Sequence, residues 1–154
     1  MKYQMKWKWW KILVYGFITT TQKCKGITSK TDIENYHYVL WDFDNAEYYQ
    51  VVNQLERMCI KYRLSGAVIF SDKVNSYRAF SNTVVDFKTL LMIILDTEFT
   101  DRMFFKWTVK RGYATIRFSN KEKRAENQII GIVGNPALEF VKEKLKFVEY
   151  ETDE

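Results

Sequence analysis

Hydrophobic and polar positions along the chain repeat with periods that predict most of its elements. Residues 9–20, centred on Ile12-Leu13-Val14-Tyr15-Gly16-Phe17-Ile18, read as a strand. Residues 22–36 are polar, carry Gly26 and several Thr, Ser and Asp residues, and read as a loop. Residues 37–43 form a second strand. From Ala46 to Tyr62 the apolar positions Tyr48, Val51, Val52, Leu55, Met58, Cys59 and Tyr62 follow helical spacing. Asp44, three residues before Glu47, resembles a capping box at its start. Two β-prone runs, Ala67 to Ser71 and Ser76 to Ser81, flank Asp72-Lys73-Val74-Asn75 and predict a hairpin. Asp86 then caps a short apolar helix from Phe87 to Leu95, and residues 99–109 suggest another. Arg111 to Phe118 reads as a strand after a Gly break, Lys121 to Asn127 as a charged loop, and Ile129 to Val133 as one more strand. Asn135-Pro136 opens a last helix with Leu138, Val141, Leu145 and Val148 on its apolar stripe, and the acidic Glu149–Glu154 end reads as frayed.

From residue 37 the order is strand, helix, strand, strand, helix, strand. That is the β-α-β-β-α-β order of ferredoxin-like folds, which include RNA-recognition-type (RRM) sheets. The expectation is an α+β protein with an antiparallel sheet of that type. An extra N-terminal strand and a C-terminal strand and helix would flank a core at about residues 36–120. At 154 residues without repeats or a Gly/Ser linker, one domain is expected across 1–154.

Composition changes this picture little. The charge balance is that of a globular protein, with 17% aromatic residues and a formal net charge of +5. Modest positive charge favours approach to nucleic acid or an anionic surface and says nothing of fold. Two cysteines, Cys24 and Cys59, do not make a disulfide scaffold, and the single His37 has no Cys cluster for a zinc site. The chain reads as reduced and cytoplasmic. Lys2, Lys6, Lys8 and Lys11 alternate with Trp7, Trp9 and Trp10 before the first apolar run. That run is too short to span a bilayer, so no integral membrane segment is expected. A buried strand preceded by basic residues is the simpler reading, and a membrane-surface anchor is the other.

Candidate chemistry concentrates in Tyr38-Val39-Leu40-Trp41-Asp42-Phe43-Asp44-Asn45. Strand alternation puts Asp42 and Asp44 on one face, with Cα atoms about 6–7 Å apart, and Trp41 and Phe43 on the other. Two carboxylates so placed suit Mg²⁺ or Mn²⁺, which take one or two protein carboxylates together with phosphate oxygens and water. The plainer alternative is that Asp44 caps the helix and Asp42 is a solvated strand end. Ser71, Lys73, Ser76 and Arg78 surround the hairpin and would hold triphosphate oxygens, unless they serve only as turn and edge residues. Arg117 would neutralise the acids or bind phosphate if it shares their face. Asp96 or Asp101 would be a third acid, or a helix cap. Tyr77, Phe80 and Tyr113 offer base-stacking surfaces, although Tyr77 and Phe80 fall on opposite faces and core packing is the better default.

The Asp-x-Asp strand and the hairpin after it resemble the archaeo-eukaryotic primase superfamily, in particular its small primase-polymerase-like members. That family's first motif is an apolar strand ending in Asp-x-Asp, matched by Val39-Leu40-Trp41-Asp42-Phe43-Asp44. Its second is a small residue followed closely by His; the corresponding region here is Ser76-Tyr77-Arg78, or more loosely Ser71 to Arg78, with Arg where His is expected. Its third is an acid on a later strand, and Thr115-Ile116-Arg117-Phe118 carries none. Across about residues 36–120, the resemblance implies a replication protein transferring nucleotides with Mg²⁺ or Mn²⁺. Asp42 and Asp44 would be its catalytic and metal residues, and a nucleoside triphosphate or single-stranded nucleic acid its partner. A non-catalytic nucleic-acid-binding module of the same fold is the alternative. Trp41 to Asn45 also resembles the opening strand of NYN/PIN-type nucleases. That fold needs a parallel sheet, and Ser71 and Ser76 are too close for a crossover. Haloacid-dehalogenase phosphatases open with Asp-x-Asp too, but Ala46 stands where they carry a hydroxyl residue.

Overall fold

In the computed structural model the backbone is described for residues 2–9, 12–19, 21–73, 75–117, 128–136 and 147–153, and side chains for 26–71, 75–117 and 128–136. The chain is α+β. Its elements run β1 (Lys2–Trp9), β2 (Ile12–Thr19), β3 (Thr21–Thr28), β4 (Tyr36–Asp44), α1 (Tyr48–Tyr62), β5 (Gly66–Lys73), β6 (Ser76–Asp86), α2 (Phe87–Asp96), α3 (Arg102–Arg111), β7 (Thr115–Arg117), β8 (Gln128–Gly134) and β9 (Phe147–Asp153). They form a β1-β2 hairpin, a three-stranded sheet ordered β7-β3-β9, and a four-stranded sheet ordered β4-β6-β5-β8. Every strand pairing among the described residues is antiparallel.

The four-stranded sheet carries the core. β6 lies between β4 and β5, so the β4-α1-β5 connection leaves a gap that the hairpin return of β6 fills. Odd positions of β4 and β6, including Trp41, Phe43, Tyr77 and Ala79, face the helices. Trp41 donates its indole N–H to Thr97 Oγ1 at 3.1 Å just beyond α2, and Tyr48 of α1 packs its ring 6.1 Å from that of Tyr77. Even positions begin apolar, with Leu40 and Phe80 wholly buried at paired register positions, and turn polar toward the end of β4. The polar site therefore opens at the rim of a continuous core.

Local chemistry explains the helix ends. Glu47, not Asp44, is the N-cap of α1, and its backbone N–H is bonded by Gln50 Oε1 at 2.8 Å. Asn45 takes a left-handed φ of 56°, which turns the chain before the helix and leaves Asp44 outside the cap. Asp86 caps α2 as expected, accepting from Thr89 N–H at 3.0 Å. Asp101 caps α3, accepting from the N–H groups of Met103 and Phe104 at 2.9 and 3.2 Å. Gly112 closes α3 with a φ of 76°.

Four expectations change. β1 precedes the first predicted strand as its hairpin partner, and 21–28 form β3 rather than a loop. β7 hydrogen-bonds to β3 instead of adding a fourth strand to the β4-β6-β5 set. Phe147–Asp153 is strand β9 along β3, not the end of a helix and a frayed tail. For β3, β7 and β9 the physical reason is a ladder partner distant in sequence, which local periodicity does not reveal; β1 pairs with the adjacent β2 through the Lys- and Trp-rich stretch that reads as a basic lead-in. The predicted charged loop at 121–127 and most of the predicted last helix lie outside the described residues. No helix among the described residues is long and apolar enough to cross a membrane.

Candidate functional site

The antiparallel register of β4 and β6 sets Asp42 opposite Arg78 and Asp44 opposite Ser76. These four share the even face, and the structure brings their side chains to one cleft of about 370 Å³. Ser76 donates its hydroxyl to Asp44 Oδ1 at 3.3 Å. Arg78 Nε stands 3.8 Å from Asp42 Oδ1, an ion pair with the arginine side chain 9% exposed and the aspartate 24% exposed.

A second wall comes from α3. The segment before it is stitched to the open edge of β4: Asp44 N–H donates to Phe99 O at 3.3 Å and Asp101 N–H to Asp42 O at 2.8 Å. Phe99 takes a φ of 63° to make that turn. The helix thus starts beside the two acids, and its face formed by Met103, Trp107 and Arg111 lines the cleft. The third wall is β7, through Thr115 and Arg117. Arg117 belongs to the other sheet, yet it joins the same cleft as the acids, with its Nε buried and no hydrogen-bond partner among the described residues.

Asp42 is the electrostatic centre. Its carboxyl is pushed up to about 6, chiefly by burial; Arg78 opposes this, Asp44 and Asp101 add to it, and Arg117 opposes it again. The side chain reaches the cleft, but Oδ1 is sealed from solvent and lacks a hydrogen-bond partner among the described residues. An ion pair beyond hydrogen-bonding distance offsets desolvation only in part.

The predicted site residues divide clearly. Asp42, Asp44, Ser76, Arg78 and Arg117 converge. Ser71 does not: it sits at the register position of Tyr77, on the helix-covered face, and its hydroxyl donates to Ser76 O at 3.0 Å. Lys73 pairs with Ser76 along the backbone, and its side chain lies outside the described residues. Of the two candidate third acids, Asp101 lines the cleft but spends its oxygens on the α3 cap, while Asp96 is held by Lys61 and Tyr62 of α1. Those two hydrogen bonds keep Asp96 below the usual carboxylate range. Tyr77 and Phe80 are buried and offer no stacking platform. His37 is a buried core histidine bonded to Ser29 at 3.0 Å, and burial lowers its pKa. Ser29 is itself wholly buried and accepts Ala114 N–H at 2.9 Å, so the pair is structural.

Trp107 and Met103 were not legible as site residues. The available signal was the four-residue spacing of Met103, Trp107 and Arg111, which puts all three on one helical face.

Among the described residues, no group of three or more His, Cys, Asp or Glu side chains is disposed to share a metal ion. The pair Asp42 and Asp44 offers a smaller donor set: Asp42 Oδ1 has no hydrogen-bond partner among the described residues, and Ser76 bonds a single oxygen of Asp44. That fits a cation that keeps water and phosphate oxygens as its remaining ligands. No protein-family model matches this chain, and neither a curated protein nor a solved structure matches it.

Proposed function

We propose that the cleft binds a nucleoside triphosphate with a divalent cation, as the nucleotide site of a primase-polymerase-like replication protein. The observation that carries this is the register: Asp42-x-Asp44 on β4 faces Ser76-x-Arg78 on β6 residue for residue. The first two motifs of the primase-polymerase resemblance therefore meet across one antiparallel pair, with Arg78 in the histidine's place. The β4-α1-β5-β6 portion follows the split order of ferredoxin-like and RRM folds, and this proposal takes the core as a variant of that class. The antiparallel pairings of all the described strands weigh against the NYN/PIN reading.

Each residue has a chemical task. Arg78 and Arg117 hold phosphate oxygens, with Arg able to do so through two N–H groups at once. Ser76 orients Asp44. Asp42 and Asp44 would hold Mg²⁺ or Mn²⁺, which would neutralise charge on the triphosphate.

One observation favours a second reading, binding without transfer: the third acid in the cleft is committed to the α3 cap. Calorimetric titration of Mn²⁺ and nucleoside triphosphate into wild type, Asp42→Asn and Asp44→Asn tests the site. Both variants should lose metal-dependent nucleotide binding by at least tenfold, and unchanged affinities would refute the proposal. Incubation with a primed single-stranded template then separates transfer from binding alone.

A further inference from the structure

A second cleft lies next to the first. It encloses about 310 Å³, and Lys30, Tyr36 and Tyr113 are among its lining residues. Arg111 lines both clefts and therefore stands at their junction. Each cleft carries a large aromatic ring left open to solvent: Trp107 is 41% exposed in the first and Tyr36 46% in the second. Each also couples a ring to a cation. The Lys30 ammonium sits 4.1 Å from the Tyr113 ring centre, while Lys110 and Arg111 lie 4.8 and 5.1 Å from that of Trp107.

The geometry points to a track for single-stranded nucleic acid that crosses from the Trp107 cleft over Arg111 into the Tyr36–Tyr113 cleft. Rings and cations sharing an open cleft are the combination that unpaired strands select, since every base has a face to stack and every linkage a phosphate to neutralise. A mononucleotide occupies one cleft only. Two clefts in series with a guanidinium between them suit a polymer whose bases alternate with anions. The inference rests on the nucleotide reading of the first cleft and extends it to a template or primer strand.

Fluorescence anisotropy with labelled dT and rU oligonucleotides of about eight nucleotides tests the track, within the usual range of single-strand site sizes. The proteins are wild type, Lys30→Gln, Lys30→Gln/Tyr113→Leu and Asp44→Asn, each checked by thermal melting. Wild type should bind one or both oligomers, and the ratio of the two affinities gives its preference between them. The double variant should lose about tenfold in oligomer affinity and keep mononucleotide affinity within twofold. Lys30→Gln alone, at an exposed position, should lower the slope of log affinity against log salt by about 0.7. Oligomer binding absent in wild type, or unchanged in both Lys30 variants, overturns the track. Loss of oligomer and mononucleotide binding in equal measure overturns it as well. If Asp44→Asn leaves mononucleotide binding intact while the Lys30 variants weaken the oligomer, the track stands and the first-cleft reading is what fails.

Discussion

Asp42 shows at the residue scale how one position serves the site and strains the fold. Its carboxyl is pushed up to about 6 by burial, so the folded chain holds a proton more tightly than the unfolded chain does. Between about pH 4 and pH 6 folding takes up that proton, and stability falls as pH rises through the window before levelling off. The difference is on the order of 3 kcal/mol at about 1.4 kcal/mol per pH unit. Asp86 and Asp96 run the other way, because hydrogen bonds lower their pKa and their contribution disappears on acidification. The comparison of wild type with Asp42→Asn cancels both. We expect Asp42→Asn to melt several degrees above wild type at pH 7.5 and within a degree or so of it at pH 4. A gap that does not depend on pH would mean that Asp42 ionises normally. Carbon-detected titration of the carboxyl gives the same answer directly, and Arg78→Gln should raise the midpoint further by removing its strongest opposing charge.

At the scale of elements, α3 is positioned by one residue with three jobs. The Asp101 backbone N–H ties to β4, its side chain caps the helix, and its charge pushes on Asp42. Substitution separates the jobs. Asp101→Asn keeps an equally good cap and should leave stability within about 0.5 kcal/mol, yet lower the Asp42 midpoint. Asp101→Ala should lower that midpoint too and cost about 1 kcal/mol in a denaturant melt. Equal melts for Ala and Asn would show that the cap does not hold the helix. This scale is also where the sequence was most readable. α1 and α2 repeat their apolar positions every three to four residues, and the β5-β6 hairpin closes locally, so each announces itself within its own segment. β3 and β9 do not: β3 lies between Arg117-Ile116-Thr115 and a strand more than a hundred positions downstream. The Asp44–Glu47 spacing suggested a cap, but the left-handed Asn45 moved the helix start to Tyr48 and left Asp44 for the site.

Across the whole molecule the cleft draws on both larger sheets, with α3 joining them. Asp42 could be grouped with Asp44 from the sequence because period-two alternation puts them on one face, whereas their meeting with Ser76 and Arg78 depends on β6 lying beside β4, which the β5-β6 hairpin alone does not dictate. Arg117 could be named but not placed, since nothing in its segment says that β7 pairs with β3. Trp107 could not be separated from core aromatics, because its exposure follows from where α3 is stitched rather than from its neighbours in sequence. This assembly has a measurable consequence. A ligand seated among these walls binds the folded state only, so at a hundred times its Kd it should add about 2.7 kcal/mol of stability. The gain should appear as a rise in Tm with Mn²⁺ and nucleoside triphosphate together, and Asp44→Asn should abolish it. Hydrogen exchange then locates the contact. On the proposed reading, amides of 42–44 and 76–78 should slow together with those of 101–117, because the arginine from β7 and the face of α3 line the same cleft as the two acids. Protection confined to β4 and β6 would remove Arg117 from the site and reduce it to a binding patch on one sheet.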